Sequence, residues 1–453
     1  MQEDKAYLRH PLHRSAVPLP AARAKATASA LKCRAAAFRR GRLKDQSPRR
    51  VFVVDALRTP IALRRGGLAR VRPEHFGAAV VRELLRRTGG AGGDLDAVFA
   101  GNAVGTGGNI ARLMSLYAGV PQSVPAVTID MQCASAAASI SLAFAKIAAG
   151  QADAIVAGGM ESVSLQPARI YAEGDERRGQ LAATGGSYYT AQFSPDDLHE
   201  DAMLRGAERV MEQEGVTRAE LDRWVLESHQ RAAQAERDGV FRPWMLPLEG
   251  SPFNDTDDEL ARALRLADCT RDEGIKPRMR QRLLDRIPLL YGDGTLLTAA
   301  NACRTNDGAA FLLLASEAFV KAHGLAPQME VLATAATGVA PGEGPRGAQA
   351  TAEKLLAREQ LSWTDLAAIE FNEAFAVIDV LLERTHPEVM NCYNQHGGAL
   401  AYGHPYGASG AILAIQLLAA LQTAGGLGLL SIAGAGGLGE AVLFEKRDSY
   451  ELL

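Results

Sequence analysis

The chain has 453 residues, of which 47% are hydrophobic and 22% are charged. This composition excludes the disordered and fibrous classes and supplies enough apolar material for two or three packed domains. The formal net charge of −3 argues against nucleic acid or an anionic membrane as the main partner, and no run approaches the roughly 20 apolar residues of a membrane span.

Five cysteines lie far apart and form no CxxC pair: Cys33, Cys133, Cys269, Cys303 and Cys392. The pattern predicts neither a metal site nor a disulfide framework, and it indicates a reducing compartment. We therefore expect a cytoplasmic protein.

Residues 1–49 form a basic, alanine-rich leader without an apolar signal core. A transit peptide, a disordered tail and an upstream start codon are three interpretations of it. Because Glu3 and Asp4 argue against a transit peptide and charge runs are usually solvated, we predict a disordered leader.

From Val51 onwards, strand-like and helix-like segments alternate, which is typical of an α/β fold. The predicted strands begin with VFVVDALRTP at Val51 and continue with Ala97–Asn102, Ala126–Asp130, Ala154–Met160, Phe311–Ser316 and Glu330–Gly338. The predicted helices are Ile110–Ala118, Ser135–Ala149 and Ala411–Leu421. Residues 166–298 are richer in charge and proline, so we predict an inserted domain there.

Two segments form a weak internal repeat. VTIDMQC leads through a small-residue helix to ADAIVAGGM, and MNCYNQH leads through GGALAYGHPYGASG and a helix to GLLSIAGAGGLG. Both predict a strand, a tight loop, a buried helix and a glycine-ended strand. A duplicated fold would bring the two loops face to face, which is where we expect the chemistry.

Cys133 stands between a predicted strand and a predicted helix, where the helix dipole would lower the pKa of its thiol. The alternative is a small buried hydrophobic residue. His404, in a glycine-rich turn, is a candidate acid, base or oxyanion donor or simply a turn residue. Asn372 is a candidate polar site residue or a helix N-cap. The terminal GAGGLG segment is either only a tight turn or a turn whose backbone N–H groups bind an oxyanion.

Together these segments resemble the thiolase family from residue 51 to the last strand. The motifs that carry the resemblance are VVDALRTP, GNAVGTGGNIAR, VPAVTIDMQCASA, AGGMES, FNEAFA, GGALAYGHPYGASGA and GAGGLGEAV. The resemblance implies a five-layered α-β-α-β-α fold of two similar halves, and an acyltransferase that acts on coenzyme A thioesters. Coenzyme A is then a substrate, with no tightly bound cofactor, and a homodimer or homotetramer is expected.

The implied domains are an N-terminal half (50–165 with 299–323), an inserted coenzyme A-binding loop domain (166–298) and a C-terminal half (324–447). By position, Cys133 matches the cysteine that becomes acylated, His404 the histidine that activates it, and Asn372 the asparagine that positions a water. The backbone N–H groups of Cys133 and Ala435 match an oxyanion hole. Lys276 and Arg278 lie where the family places basic residues for coenzyme A phosphates.

One departure affects the expected chemistry. The family's second catalytic cysteine, the acid and base of the carbon–carbon step, is replaced by Ala433. His396 and Cys303 are candidate replacement bases, although a turn residue and a packing residue are the simpler interpretations. Two alternatives follow: a decarboxylating condensing enzyme that uses Cys133, His404 and Asn372, and a non-catalytic thioester-binding subunit.

Overall fold

The computed structural model describes residues 48–195, 201–253, 257–292 and 294–452. The predicted leader, 1–49, lies outside the described residues except for its last two. The strands are β1 Val51–Arg58, β2 Ala62–Leu63, β3 Ala97–Gly101, β4 Ala126–Ile129, β5 Ala154–Glu161, β6 Arg169–Ile170, β7 Ser187–Tyr188, β8 Leu248–Glu249, β9 Asp268–Cys269, β10 Asn306–Ser316, β11 Met329–Gly338, β12 Leu366–Phe371, β13 Gly426–Gly434 and β14 Leu438–Lys446.

Ten strands form one mixed sheet in the order β12-β13-β14-β11-β1-β10-β5-β3-β4, with β2 paired to β10. Its two halves meet where β1 pairs with β11 over three residue pairs, from Val51 opposite Val331 to Val53 opposite Met329. The pairs β6–β7 and β8–β9 form two small separate sheets within the stretch that the sequence predicts to be inserted.

Helices cover both faces of each half of the sheet. They are α1 Pro73–Arg87, α2 Ile110–Tyr117, α3 Ser135–Ala148, α4 Glu176–Gln180, α5 Ala202–Gln213, α6 Arg218–Asp238, α7 Glu259–Leu264, α8 Gln281–Leu284, α9 Glu317–Ala322, α10 Gly347–Glu359, α11 Ala376–Thr385, α12 Ala399–Tyr402 and α13 Ser409–Ala424. Helices α3 and α13 pack against each other and against both halves, whereas α1 and α2 cover one outer face and α10 and α11 the other.

This arrangement gives the layers α-β-α-β-α, so the predicted fold is confirmed. The central helices are rich in alanine because small side chains let a helix fit between two sheets. In α13, every residue from Ser409 to Leu421 is buried. Among the described residues, one helical stretch, Tyr406–Ala424, is long and apolar enough to cross a membrane, but 83% of its apolar window is buried inside the protein.

The predicted strand in MNCYNQH is wrong. Tyr393 makes only an isolated bridge to Ile369. Asn394 then adopts a left-handed backbone with φ 41°, and its side chain bonds both the N–H and the carbonyl of Phe371 at 2.9 and 3.1 Å. An asparagine side chain thus replaces the ladder bonds that a strand would need.

Candidate active site

Cys133 lies in the tight turn between β4 and α3, two residues before the helix begins. Gln132, directly before it, has φ 52°, a conformation that costs energy for a residue with a side chain. The Gln132 N–H and side-chain amide both donate to Asp130 Oδ1 at 2.9 Å, and the Met131 N–H donates to Ser135 Oγ at 2.8 Å. These bonds hold the strained turn that presents the Cys133 thiol.

The prediction that the helix dipole lowers the pKa of Cys133 is wrong. Burial raises the pKa of this thiol to about 12, and the negative charges of Glu161 and Asp130 raise it further, although the N–H groups of Ala435 and of Cys133 itself donate toward the sulfur. Removal of water from the thiolate therefore outweighs the favourable dipoles. The resting group is a neutral thiol, and a base must take its proton at the moment of attack.

This pKa predicts how the free protein reacts with iodoacetamide. Because only the thiolate is alkylated, the alkylation rate at Cys133 should still be rising at pH 10, with no plateau near pH 8.5. Peptide mapping by mass spectrometry across pH 6–10 measures the rate at Cys133 alone. Urea-unfolded protein is the control, and its Cys133 should level off near the ordinary thiol pKa of about 8.5. A plateau near pH 7 in the folded protein would contradict the raised pKa.

His404 is buried in the turn before α13 and is neutral, because burial lowers the pKa of its imidazole to about 3. Its Nδ1 lies 2.6 Å from Ser409 Oγ, and Ser409 Oγ donates to the carbonyl of Pro405 at 3.1 Å. Since the hydroxyl has one proton, both contacts are satisfied when Nδ1–H donates to Ser409. The other nitrogen, Nε2, then carries a lone pair that can accept a proton.

Asn372 is brought to the same place. Its Nδ2 lies 3.4 Å from His404 Nε2, and the side chain is buried. The interpretation of Asn372 as a helix N-cap is wrong, since α11 begins at Ala376 with Phe375 as its N-cap. The buried Asn372 amide faces the Nε2 lone pair of His404, and this contact orients the imidazole ring.

The terminal glycine turn closes over the Cys133 turn from the other half of the protein. The Ala435 N–H is directed at the Cys133 sulfur, and Gly436 and Gly437 take φ 81° and 78° to make the turn. Gly434 lies so close that an added Cβ would stand 3.1 Å from the carbonyl oxygen of Met131. Two backbone donors therefore converge on the sulfur from separate elements. Ala433 packs instead into the outer apolar cluster of the C-terminal half.

Glu161, at the end of β5, connects the loops of the site and was not singled out in the sequence. It accepts the amide N–H of Asn102 and backbone N–H groups from Ala103 and Gly407 at 2.8, 2.8 and 3.0 Å. Burial raises its pKa to about 7. Neither Glu161 nor Ser409 carries a periodic or spacing signal that separates it from ordinary polar residues, so only the fold identifies them.

The two candidate replacement bases lie in different surroundings. The Cys303 N–H donates to the Ala374 carbonyl at 2.9 Å and the next carbonyl, that of Arg304, accepts from the His404 N–H at 2.9 Å, which places Cys303 between the asparagine and histidine loops. Burial raises the pKa of the Cys303 thiol, and so does the nearby Cys133.

His396 instead packs against the ring of Phe241 at 5.8 Å between centroids, and its carbonyl accepts from Tyr402 at 2.8 Å. Burial, followed by the charge of Arg231, lowers its pKa. Within the described ranges, no hydrogen bond or ring contact joins His396 to Cys133.

Lys276 and Arg278, the predicted contacts to coenzyme A phosphates, are both exposed. The Lys276 N–H donates to His229 Nδ1 at 3.2 Å. No group of three or more metal-ligating side chains occurs in the part of the chain that the structure describes.

Comparison with known proteins identifies the family. Residues 51–318 match the thiolase N-terminal domain and residues 325–446 the thiolase C-terminal domain. The beta-ketoadipyl-CoA thiolase of Pseudomonas putida is 35% identical over 408 residues, which cover 88% of this chain and 100% of that protein. The 3-ketoacyl-CoA thiolase of Bacillus subtilis is 34% identical, with 87% and 98% coverage.

Solved structures show the same likeness. The Bacillus anthracis acetyl-CoA acetyltransferase superposes with a TM-score of 0.78 at 27% identity, over 89% of this chain and 100% of that one. Human mitochondrial 3-ketoacyl-CoA thiolase gives a TM-score of 0.76 at 26% identity, over 88% and 99%. The chain belongs to the thiolase family.

Proposed function

We propose that this thiolase-type acyl-CoA acyltransferase carries the acyl group as a thioester on Cys133. The observations that support this proposal most directly are the Ala435 N–H directed at the Cys133 sulfur and the contact of Asn372 with the neutral His404. A nucleophile, a base and oxyanion donors are the groups that acyl transfer requires.

In the proposed cleavage reaction, His404 Nε2 takes the Cys133 proton as sulfur attacks the 3-keto carbon of a 3-ketoacyl-CoA. The N–H groups of Cys133 and Ala435 hold the alkoxide that forms. The carbon–carbon bond then breaks, leaving the shortened acyl group on Cys133 and the enolate of acetyl-CoA. Protonated His404 and a water bound to Asn372 hold the enolate oxygen.

We propose that Cys303 is the acid of the carbon–carbon step, because this thiol lies between the loops of Asn372 and His404. Its raised pKa keeps it protonated at rest, so it can give its proton to the α-carbon of the enolate. Incoming coenzyme A loses its thiol proton to water and attacks the acyl group as a thiolate. The Cys303 thiolate regains a proton from water. The Cys133 sulfur is released and takes its own proton back from His404, so every group ends as it began.

Isotope exchange tests the transfer half alone. Unlabelled acyl-CoA incubated with labelled free coenzyme A should yield labelled acyl-CoA without a second carbon substrate, because a ping-pong enzyme completes the half-reaction in both directions. A series from acetyl to long-chain acyl groups covers the unknown chain length. No exchange above the protein-free blank at any length would refute the proposal.

Replacing Cys303 by alanine should separate the two halves of the reaction. We expect exchange of coenzyme A to stay within about threefold of wild type, while cleavage of 3-ketoacyl-CoA falls by about 10²-fold or more, as is usual when a general acid is removed. Cys392→Ala is the matched control, since the Cys392 thiol bonds to the carbonyls of Leu366 and Val389, away from the site. Equal activity of both variants in cleavage would eliminate Cys303 as the acid.

Decarboxylating condensation is a second candidate because Ala433 cannot act as an acid or a base. Release of carbon dioxide supplies the carbanion in such a reaction, so that no second thiol is needed. Labelled malonyl-CoA should then release carbon dioxide only when an acyl-CoA is present. Cleavage of 3-ketoacyl-CoA that depends on Cys303 would exclude this candidate.

We propose a homo-oligomer that forms across β4. This strand ends the sheet, and exposed apolar side chains surround it, including Val127 on β4 and Leu142 on α3 at 48% and 50% exposure. An unpaired edge beside exposed leucines is typical of an interface. Leu142→Glu should lower the particle mass by light scattering toward that of one chain, whereas Leu266→Glu, at another exposed leucine, should not. A wild-type monomer would contradict the proposal.

The cytoplasm is the compartment that we propose. The described cysteines, Cys133, Cys269, Cys303 and Cys392, are all free thiols, and reducing compartments keep thiols in this state.

A further inference from the structure

Two cations near the catalytic loops have no acidic partner among the described residues. Arg304 directly follows Cys303, and its guanidinium donates to the carbonyl of Gly274 at 2.5 Å and more weakly to that of Ala401 at 3.4 Å. Lys276, two residues beyond Gly274, is close enough for the charge of Arg304 to lower its pKa. The side chains of Arg304 and Lys276 therefore bring two positive charges close together.

Nothing among the described residues balances these charges. Neither Arg304 nor Lys276 takes part in any of the ion pairs of the described ranges, although most half-buried arginines of the chain have a carboxylate partner. The third polar group nearby is His229, whose Nδ1 accepts the Lys276 N–H at 3.2 Å. Burial, with the charges of Arg304 and Lys276, lowers the pKa of His229 to about 3, so His229 is neutral and its second nitrogen is a donor.

A half-buried guanidinium beside an ammonium is unfavourable unless an anion joins them. Carbonyl groups accept hydrogen bonds from Arg304 but do not neutralise it. The planar guanidinium retains free N–H groups that suit a carboxylate or a phosphate, while the lysine adds a mobile point charge. The Arg304 carbonyl accepts from the His404 N–H, so this arginine belongs to a segment that adjoins the catalytic loop.

We propose that Arg304 and Lys276 form a clasp that binds an anionic group carried by the thioester substrate. This inference rests on the proposed function, because it takes the ligand to be an acyl-CoA. Two parts of such a substrate supply the same chemistry: a phosphate of coenzyme A, and a carboxylate at the far end of the acyl chain. The resemblance to thiolases already points to Lys276, but Arg304 is assigned by the contacts of this chain alone.

Calorimetry measures the affinities of wild type and Arg304→Gln for three probes: coenzyme A, pantetheine and adipyl-pantetheine. Their comparison distinguishes a phosphate of coenzyme A from a carboxylate of the acyl chain as the bound anion. Loss of one charge-assisted contact weakens binding by about 10- to 100-fold. If a phosphate occupies the clasp, Arg304→Gln should bind coenzyme A more weakly than wild type does, and should bind pantetheine and adipyl-pantetheine as wild type does. If a carboxylate occupies it, adipyl-pantetheine loses affinity and pantetheine does not.

Arg70→Gln is the control for the change in net charge, since Arg70 is exposed and has no side-chain bond among the described residues. Unchanged affinity of Arg304→Gln for both coenzyme A and adipyl-pantetheine would overturn the clasp. An equal loss with all three probes would also overturn it, because pantetheine carries no anion and the effect would then be structural. Wild-type isotope exchange does not depend on these results, so the clasp can fail while the proposed function stands.

Discussion

Cys133→Ala should lower kcat/KM for acyl transfer by about 10⁴-fold or more, as is observed when the nucleophile of a covalent mechanism is removed. The side chain that would carry the acyl group is lost. His404 and Asn372 offer no thiol, and the nearby thiol of Cys303 is assigned to the α-carbon of the substrate. Steady-state cleavage of 3-ketoacyl-CoA, together with isotope exchange, measures the loss.

Binding should survive this change. The affinity of Cys133→Ala for coenzyme A should remain within about threefold of wild type, because the thiol contributes little to binding compared with its role in bond formation. Cys392→Ala controls for the loss of a half-buried thiol and should keep full activity. Retention of more than a tenth of wild-type exchange by Cys133→Ala would mean that another group is the nucleophile.

His404→Gln should lower both exchange and cleavage by about 10²- to 10⁴-fold, the usual contribution of a general base. The high pKa of Cys133, about 12, makes the reaction depend on a base, and glutamine retains a polar group but has no imidazole lone pair. Ser409→Ala should cause a smaller loss of about tenfold, since the imidazole remains and only its Nδ1 partner, at 2.6 Å, is lost.

Alkylation separates loss of the base from loss of the fold. At pH 10, hydroxide ionises the thiol without His404, so iodoacetamide should label Cys133 in His404→Gln as fast as in wild type. A matching thermal midpoint would show that the site is intact. Wild-type exchange by His404→Gln, or failure of Cys133 to react at pH 10, would contradict the role given to His404.

The α/β pattern was accessible from the sequence because its elements carry strong local signals, whereas the five-layered arrangement was implied by the resemblance to thiolases. The apolar run from Ala154 predicts a strand to Met160 and the structure ends β5 one residue later, at Glu161. The all-round apolar pattern after Cys133 predicts a central helix, and α3 ends at Ala148, one residue before the predicted end. Buried strands and helices of this kind are determined mainly by their own periodicity.

The electrostatics of the site could not be predicted in the same way. The position of Cys133 before a helix predicts a lowered pKa, but burial in the folded protein raises it, and burial depends on tertiary packing that the local sequence does not show. For the same reason Asn372 looks like an N-cap until its amide is seen 3.4 Å from His404. Arg304 has no motif of its own, and only the fold shows that its guanidinium meets the carbonyl of Gly274 and no carboxylate among the described residues.

Covalent labelling of Cys133 is the most direct test of the proposed mechanism. The protein is incubated with acyl-CoA of several chain lengths, quenched in acid, weighed intact and mapped by tandem mass spectrometry. We predict one acyl group per chain, on Cys133, removed by added coenzyme A and absent from Cys133→Ala. An acyl group on another residue, or no adduct at any chain length, would contradict acyl transfer through Cys133.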